Sequence, residues 1–80
     1  MLQLFRHAHS VFAVAFSPDG KHALTGGDDS TARLWNVKTG KQLKIWAHGG
    51  RVYAVKFTPN GRRMLTASDD ATAVLYDLDP

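Results

Sequence analysis

The stretch HSVFAVAFSPDGKHALTGGDDSTARLWN, residues 9–36, decides the fold because the chain repeats its pattern as GRVYAVKFTPNGRRMLTASDDATAVLYD at residues 50–77. A constant 41-residue offset relates the two copies, and pairing residues 2–39 with residues 43–80 gives 15 identities in 38 positions without a gap. The sequence therefore predicts a chain of two equivalent units.

Turn chemistry divides each unit into strands. The SPDG and TPNG sequences place proline at the first corner of a type I turn and glycine at the left-handed position that follows, so Gly20 and Gly61 each close a β-hairpin. Asp-rich turns (GDDS, SDDA) and the VKTGK corner separate the other strands. The predicted strands are residues 2–5, 11–16, 21–26, 31–36, 42–46, 52–57, 62–67 and 71–77.

Hydrophobic patterning assigns these strands to different layers. VFAVAF and VYAVKF are nearly continuous apolar runs, which predicts strands buried on both faces. Because Val11 and Val14 are three residues apart, a bulge near Phe12 and Ala13 is needed for both to face one core. QLKIW alternates, which predicts a half-exposed outer strand with residues 2–5 as its counterpart. The expected order is outer, three inner, outer, three inner.

Composition indicates a small globular chain. It has 80 residues, 44% of them apolar and 21% charged, a net charge of +3 and no cysteine. A chain of this length buries only about 60–65% of its unfolded surface, so its core is marginal without a partner. No apolar run reaches membrane-spanning length and no signal-peptide pattern begins the sequence, so we expect a cytoplasmic location without membrane association.

The repeat resembles two units of the WD-repeat β-propeller family over nearly the whole chain. The residues that carry the resemblance in the first unit are His7, Val11, VAF at 14–16, SPDG, Thr25, Gly26, Asp29, Trp35 and Asn36, and their counterparts follow in the second unit at the repeat offset. A repeat of about 40 residues built from short strands is typical of propeller blades. The resemblance implies an all-β chain with two four-stranded blades within residues 1–80. Residues 7–46 form the first blade, residues 48–78 form the inner strands of the second, and residues 2–5 form an outer strand donated to a neighbouring copy.

The resemblance also implies a structural hydrogen-bond tetrad in each unit. The members are His7, Thr25, Asp29 and Trp35 in the first unit, and His48, Thr66, Asp70 and Tyr76 in the second. Their chemistry suits such a chain because an indole N–H only donates, a hydroxyl does both, a carboxylate only accepts and an imidazole links the two. Tyr76 replaces the indole donor, so the first unit is expected to be better anchored.

The two ends of the blades differ in charge. The loop face, formed by residues 6–10, 27–30, 47–51 and 68–71, is acidic. Its candidate binding residues are Arg6, Ser10, Phe12, Asp28, Arg51, Tyr53 and Asp69. Phe12 and Tyr53 are candidate aromatic anchors at the predicted bulges, and the alternative is that both rings pack between blades. The turn face, formed by residues 17–20, 37–41 and 58–61, lies near basic side chains, for which we expect only weak nonspecific binding of nucleic acid.

The sequence favours structural roles over a catalytic site or a metal site. His7 and His9 with Asp28 and Asp29 resemble a metal-ligand set, but the tetrad already uses His7 and Asp29. Ser10 and Ser17 lack the strand–elbow–helix setting of a nucleophile, and the paired glycines lack the spacing of a phosphate loop. We therefore expect no enzyme activity, no cofactor and no metal.

The two-unit organisation predicts self-assembly. Two blades cannot close a propeller and would expose sheet faces and edges, so copies of the chain are expected to pack head to tail. Four chains giving eight blades is the favoured homotetrameric ring, and three chains giving six is the second choice. The expected function is a non-enzymatic scaffold that binds a peptide or protein segment on the loop face. The alternative is a structural or self-assembling propeller fragment, natural or engineered, with no specific ligand.

Overall fold

The computed structural model describes Leu4 and residues 9–78. In this part of the chain seven antiparallel strands form two sheets, one ordered β1-β2-β3-β4 and the other β5-β6-β7. The strands are β1 Val11–Phe16, β2 His22–Gly27, β3 Thr31–Asn36, β4 Gln42–Ala47, β5 Val52–Phe57, β6 Arg63–Ser68 and β7 Ala73–Asp77. The all-β prediction is confirmed. Most of the predicted outer strand at residues 2–5 lies outside the described residues. No described segment forms an apolar helix of membrane-spanning length.

Strand boundaries follow the local turn chemistry. β1, β3 and β5 have the predicted bounds, whereas β2 and β6 each begin and end one residue later than predicted. Before β2, Lys21 N–H donates to Asp19 Oδ1 at 2.9 Å, and before β6, Arg62 N–H donates to Asn60 Oδ1 at 3.0 Å, which keeps both residues in the turns. β7 begins at Ala73 rather than at residue 71, because Ala71 adopts a left-handed φ of 68°. The second Asp-rich turn therefore extends further towards β7 than the sequence pattern indicated.

The two proline-containing turns have the predicted geometry. Gly20 and Gly61 have φ values of 73° and 71°, in the left-handed region that glycine enters without a steric penalty. Gly20 N–H donates to the Ser17 carbonyl at 2.9 Å, and Gly61 N–H donates to the Thr58 carbonyl at 2.8 Å. Both turns close hairpins, as predicted.

The predicted bulge is also present. The β1–β2 register shifts between Val11 and Ala13, and the β5–β6 register shifts at the corresponding place between Val52 and Ala54. An extra residue at a bulge changes which face the flanking side chains point to. Val11 and Val52 therefore lie at equivalent bulged positions in the two units.

The two sheets pack against each other through one face of each. We call this interface the internal junction, and its buried apolar members are Leu24, Ala32, Leu34, Val52, Phe57 and Met64. The two sheets approach each other closely at Gly26, where an added Cβ would be 2.6 Å from Val52 Cγ1. Only glycine leaves room for Val52 at this distance.

The prediction that VFAVAF and VYAVKF are buried on both faces is wrong for the single chain. Val11, Phe12, Val14 and Phe16 of β1 are exposed. In β5, Val52 and Phe57 are buried but the intervening Tyr53 is exposed. The physical reason is that no described sheet packs over the exposed β1 side chains, although Ala23, Thr25 and Trp35 on the same face as Phe16 are buried. A continuous apolar run indicates that the side chains on both faces of a strand can be buried, but the elements packed beside the strand determine which of them are buried.

Candidate functional site

The first unit joins Thr25 of β2 to Trp35 of β3. Trp35 Nε1–H donates to Thr25 Oγ1 at 2.8 Å, and both side chains are buried. The antiparallel register places Thr25 opposite Arg33 and Trp35 opposite Ala23, so both side chains project from the same face of the sheet. His7, the histidine assigned to this set, lies outside the described residues.

Asp29 lies in the turn between β2 and β3 and is held by two partners that the sequence analysis did not identify. Its Oδ1 accepts from Thr31 N–H at 3.1 Å and from the Thr31 hydroxyl at 2.6 Å. Its Oδ2 pairs with Arg33 Nη2 at 2.9 Å. Charge-assisted hydrogen bonds of this kind are stronger than neutral ones. They fix the Asp29 side chain in the turn between β2 and β3 and against the start of β3.

In the second unit His48 lies between Thr66 and Asp70. His48 Nε2 is 2.8 Å from Thr66 Oγ1, and His48 Nδ1 is 3.6 Å from Asp70 Oδ2. With the ring proton on Nδ1 facing the carboxylate, Nε2 accepts a hydrogen bond from the Thr66 hydroxyl. The structure thus brings together three of the four residues assigned to the second tetrad.

Asp70 accepts several hydrogen bonds from its own turn and from the preceding loop. The Thr72 hydroxyl donates to Asp70 Oδ1, Gly49 N–H donates to Asp70 Oδ2 at 3.0 Å, and Thr72 N–H donates to Asp70 Oδ1 at 2.9 Å. The hydrogen bond from the Thr72 hydroxyl lowers the pKa of Asp70 most, the one from Gly49 N–H comes next, and the charge of His48 has a smaller lowering effect. Together they lower the pKa of Asp70 to about 2. Asp70 is therefore ionised at neutral pH and acts only as an acceptor.

Tyr76 joins the second set through ring contacts. Its ring centroid lies 5.4 Å from that of Trp46 and 6.4 Å from that of His48, the latter edge-on at 89°. Such tilted and edge-to-face contacts favour aromatic packing. Among the described residues no hydrogen bond links the Tyr76 hydroxyl to the set. Because Trp46 belongs to β4 of the first sheet, Tyr76 also packs across the internal junction.

On the loop face, Arg51 bridges the two units. Arg51 Nε and Nη2 both lie 2.7 Å from Asp69 Oδ2, and Arg51 Nε lies 3.8 Å from Asp28 Oδ1. The Arg51 Cζ atom is 6.0 Å from the centroid of the Phe12 ring, within cation–π range. Four of the predicted binding-face residues therefore meet at one place.

The remaining loop-face candidates are more dispersed. Tyr53 and Ser10 are both exposed, and the Ser10 carbonyl accepts from Asp28 N–H at 2.8 Å. Arg6 lies outside the described residues. An acidic patch with two exposed aromatic rings, Phe12 and Tyr53, is chemically suited to a protein segment carrying basic side chains.

The turn face carries a cleft between the two proline turns. Its volume is about 310 Å³, and it is lined by Ser17, Pro18, Asp19, His22, Asn60, Gly61 and Arg62. The Ser17 hydroxyl and Lys21 N–H donate to Asp19, which lowers the pKa of that carboxyl. The cleft thus combines a carboxylate with an arginine instead of presenting uniform positive charge. In residues 9–78 no group of three or more His, Asp or Glu side chains is arranged to hold a metal ion.

The fold agrees with a sequence comparison. The profile of the family described as WD domain, G-beta repeat matches residues 2–36 and 40–77. The chain belongs to the WD40 repeat family. WD40 domains are generally protein-interaction scaffolds and are typically non-catalytic. The match covers both units, so the chain contains two WD40 repeats.

Segments of 34 to 44 residues in longer proteins resemble this chain. The chain is 45% identical over 40 residues to eukaryotic translation initiation factor 3 subunit I of Aspergillus niger, which covers 50% of this chain and 12% of the relative. It is 47% identical over 34 residues to the periodic tryptophan protein 2 homolog of Mus musculus, covering 42% and 4%. It is 46% identical over 44 residues to the lissencephaly-1 homolog 1 of Paramecium tetraurelia, covering 55% and 11%. The matched segments therefore cover between 4% and 12% of the length of these relatives.

Sequence reasoning missed Thr31 and Thr72 in these WD40 repeats, and it named Arg51 as a candidate binding residue without its bridging role. Thr31 and Thr72 each follow the second aspartate of an Asp-rich turn by two residues and hydrogen-bond to it. Their equal spacing in both repeats was a usable signal. The bridging role of Arg51 had no such signal, because its counterpart in the first repeat is Ser10.

Proposed function

We propose that this chain is a two-blade WD40 building block whose copies pack head to tail into a closed propeller, and that the ring serves as a non-enzymatic scaffold for a protein or peptide segment. One observation carries the proposal. The two open sheet faces of the chain are the counterparts, at the repeat offset, of the two faces that pack together at the internal junction.

Equivalent residues of the two repeats differ strongly in their exposed fraction. Phe57 is 8% exposed at the internal junction, whereas its counterpart Phe16 is 60% exposed on the open face of the first unit. Leu34 is 7% exposed, whereas its counterpart Leu75 is 54% exposed on the open face of the second unit. Contiguous apolar surface of this kind marks interaction sites in soluble proteins. Each open face has the residue types needed to cover the other, which favours a heterologous contact.

Strand edges support the same arrangement. β4 covers the outer edge of β3, but no described strand covers the corresponding edge of β7. The repeat offset relates residues 2–5 to residues 43–46 in β4. We infer that residues 2–5 of a neighbouring copy pair with β7, which would remove an edge prone to uncontrolled association.

The oligomeric state of the purified protein tests the assembly. Multi-angle light scattering should give about 35 kDa for the favoured four-chain, eight-blade ring, or about 26 kDa for a three-chain ring, against 8.8 kDa for one chain. A folded monomer at all concentrations would contradict self-assembly. Because the WD40 relatives are much longer, a chain that folds only when fused to further repeats would instead make those repeats the neighbours of the open faces.

The proposed ligand surface is the loop face around Arg51. Asp28 and Asp69 supply negative charge there, and the exposed rings of Phe12 and Tyr53 supply apolar area. Affinity capture with immobilised wild-type ring should retain a protein that both Asp28→Lys and Tyr53→Ala rings lose. Equal capture by all three rings would contradict a loop-face site. If no protein is captured although the ring forms, the chain has a structural role alone.

A further inference from the structure

Resting on the assembly proposed above, we propose that Ala67 sets the strength of the contact between copies and makes it looser than the internal junction. The open face of the second unit receives the open face of the first unit of another copy, with Val11 of that copy against Ala67. The ring is therefore expected to separate at these contacts while the two blades of each chain stay packed.

The internal junction provides the template for this contact. At Gly26 an added Cβ would lie 2.6 Å from Val52 Cγ1 and 3.1 Å from the Val52 carbonyl oxygen, so that face accepts Val52 only because no side chain is present. The repeat offset makes Val11 the counterpart of Val52 and Ala67 the counterpart of Gly26. The contact between copies therefore contains the Cβ for which the internal junction has no room.

A second sequence difference between the repeats, on the same face as Ala67, also weakens the contact between copies. Ala15 packs against the internal junction core, and its counterpart Lys56 is exposed on the open face of the second unit. A lysine stem is bulkier than a methyl group, and its ammonium must remain in water. By contrast, the turn contact is unchanged, because a Cβ added at Gly61 would lie 3.4 Å from Pro18 Cδ inside the chain, and the counterparts Gly20 and Pro59 are the same residue types. The copies thus meet normally at the turn face and are held apart around Ala67.

Two blocking variants isolate this contact. Phe16→Asp charges only the open face of the first unit, and Leu75→Asp charges only that of the second. Both side chains are exposed in the single chain, so the two blades should remain folded. Each variant alone should be a monomer of 8.8 kDa, and an equimolar mixture should form a 1:1 dimer and nothing larger. If Phe16→Asp alone still dimerises, the faces associate with themselves and the head-to-tail contact is refuted.

The dissociation constant of this dimer then measures the role of Ala67. Ala67→Gly in the Phe16→Asp chain should lower the Kd about tenfold by relieving the overpacked Cβ. Ala73→Gly is the matched control, because its counterpart Ala32 is fully buried at the internal junction, and losing this methyl should raise the Kd. Analytical ultracentrifugation gives both values.

These experiments test the role of Ala67 separately from the ring assembly on which it rests. If the wild-type chain is monomeric and the mixture forms no dimer, the proposed assembly fails. If the dimer forms but Ala67→Gly leaves its Kd unchanged or raises it, the assembly stands and the role of Ala67 is refuted. Dilution of the wild-type ring should release folded two-blade monomers, and release of unfolded chains would also refute the looser contact.

Discussion

Replacement of Gly26 by alanine should destabilise the chain at the internal junction. The new Cβ would lie 2.6 Å from Val52 Cγ1 and 3.2 Å from Val52 Cβ, whereas ordinary contacts of this kind are 3.4–4 Å. Val52 has no exposed surface and is β-branched, so it has little freedom to rotate away. Overpacking of this kind costs about 1–3 kcal/mol, and alanine recovers about 0.5–1 kcal/mol of backbone entropy relative to glycine. The expected net loss is about 1–2 kcal/mol, a large share of the stability of a small domain.

Urea unfolding followed by the fluorescence of the two tryptophans measures this loss. The Phe16→Asp background keeps association from contributing to the unfolding free energy. Gly49→Ala is the matched control, because its added Cβ would lie 3.4 Å from Asp70 Cβ, an ordinary contact. That control should be neutral or slightly stabilising.

A double-mutant cycle with Val52→Ala tests the assigned cause. Removing the Cγ atoms gives the new alanine room, so the double variant should be more stable than the sum of the two single losses by about 1 kcal/mol. Additive losses would mean that Gly26→Ala acts elsewhere, and the close-approach argument would be refuted.

Three further predictions concern the hydrogen-bond sets and the turn face. Trp35→Phe deletes the donor of the 2.8 Å bond to Thr25 and should lower the unfolding free energy by about 1–3 kcal/mol, whereas Tyr76→Phe should cost less; equal losses in urea melts would contradict the assignment. Because the pKa of Asp70 is lowered from 3.8 to about 2, its contribution to stability is present above about pH 4 and is lost as the pH falls towards 2. Asp70→Asn and Thr72→Val should each flatten the acid dependence of unfolding in that window, and an unchanged dependence in both would contradict the cause given. Heparin should bind weakly at the turn face, and in titrations its affinity should fall steeply with added salt. The basic side chains concerned are Lys21, Lys38, Lys41, Arg62 and Arg63. Tight binding that survives high salt would instead point to a specific nucleic-acid or polyanion site.

Within residues 9–78, local chemistry predicted the hairpins, the bulges and each strand to within two residues at its ends. The internal repeat, the glycines at the left-handed corners and the three-residue separation of Val11 and Val14 are all visible in the sequence itself. Turn conformation and bulge position depend on short-range sterics, so the sequence pattern was enough. The hydrogen bond between Trp35 and Thr25 was implied by the resemblance to the WD-repeat family, and strand pairing places both side chains on one face.

Tertiary structure alone decided which faces are covered and how closely. VFAVAF has the composition of a buried strand, yet Phe16 is exposed because no described sheet packs over it, while Phe57 is buried because the first sheet does. The approach of Val52 to Gly26 and the bridge from Arg51 to Asp28 join residues more than twenty positions apart. Burial and such contacts depend on neighbours in space, and two similar repeats differ in these respects because only one face of each has the other beside it.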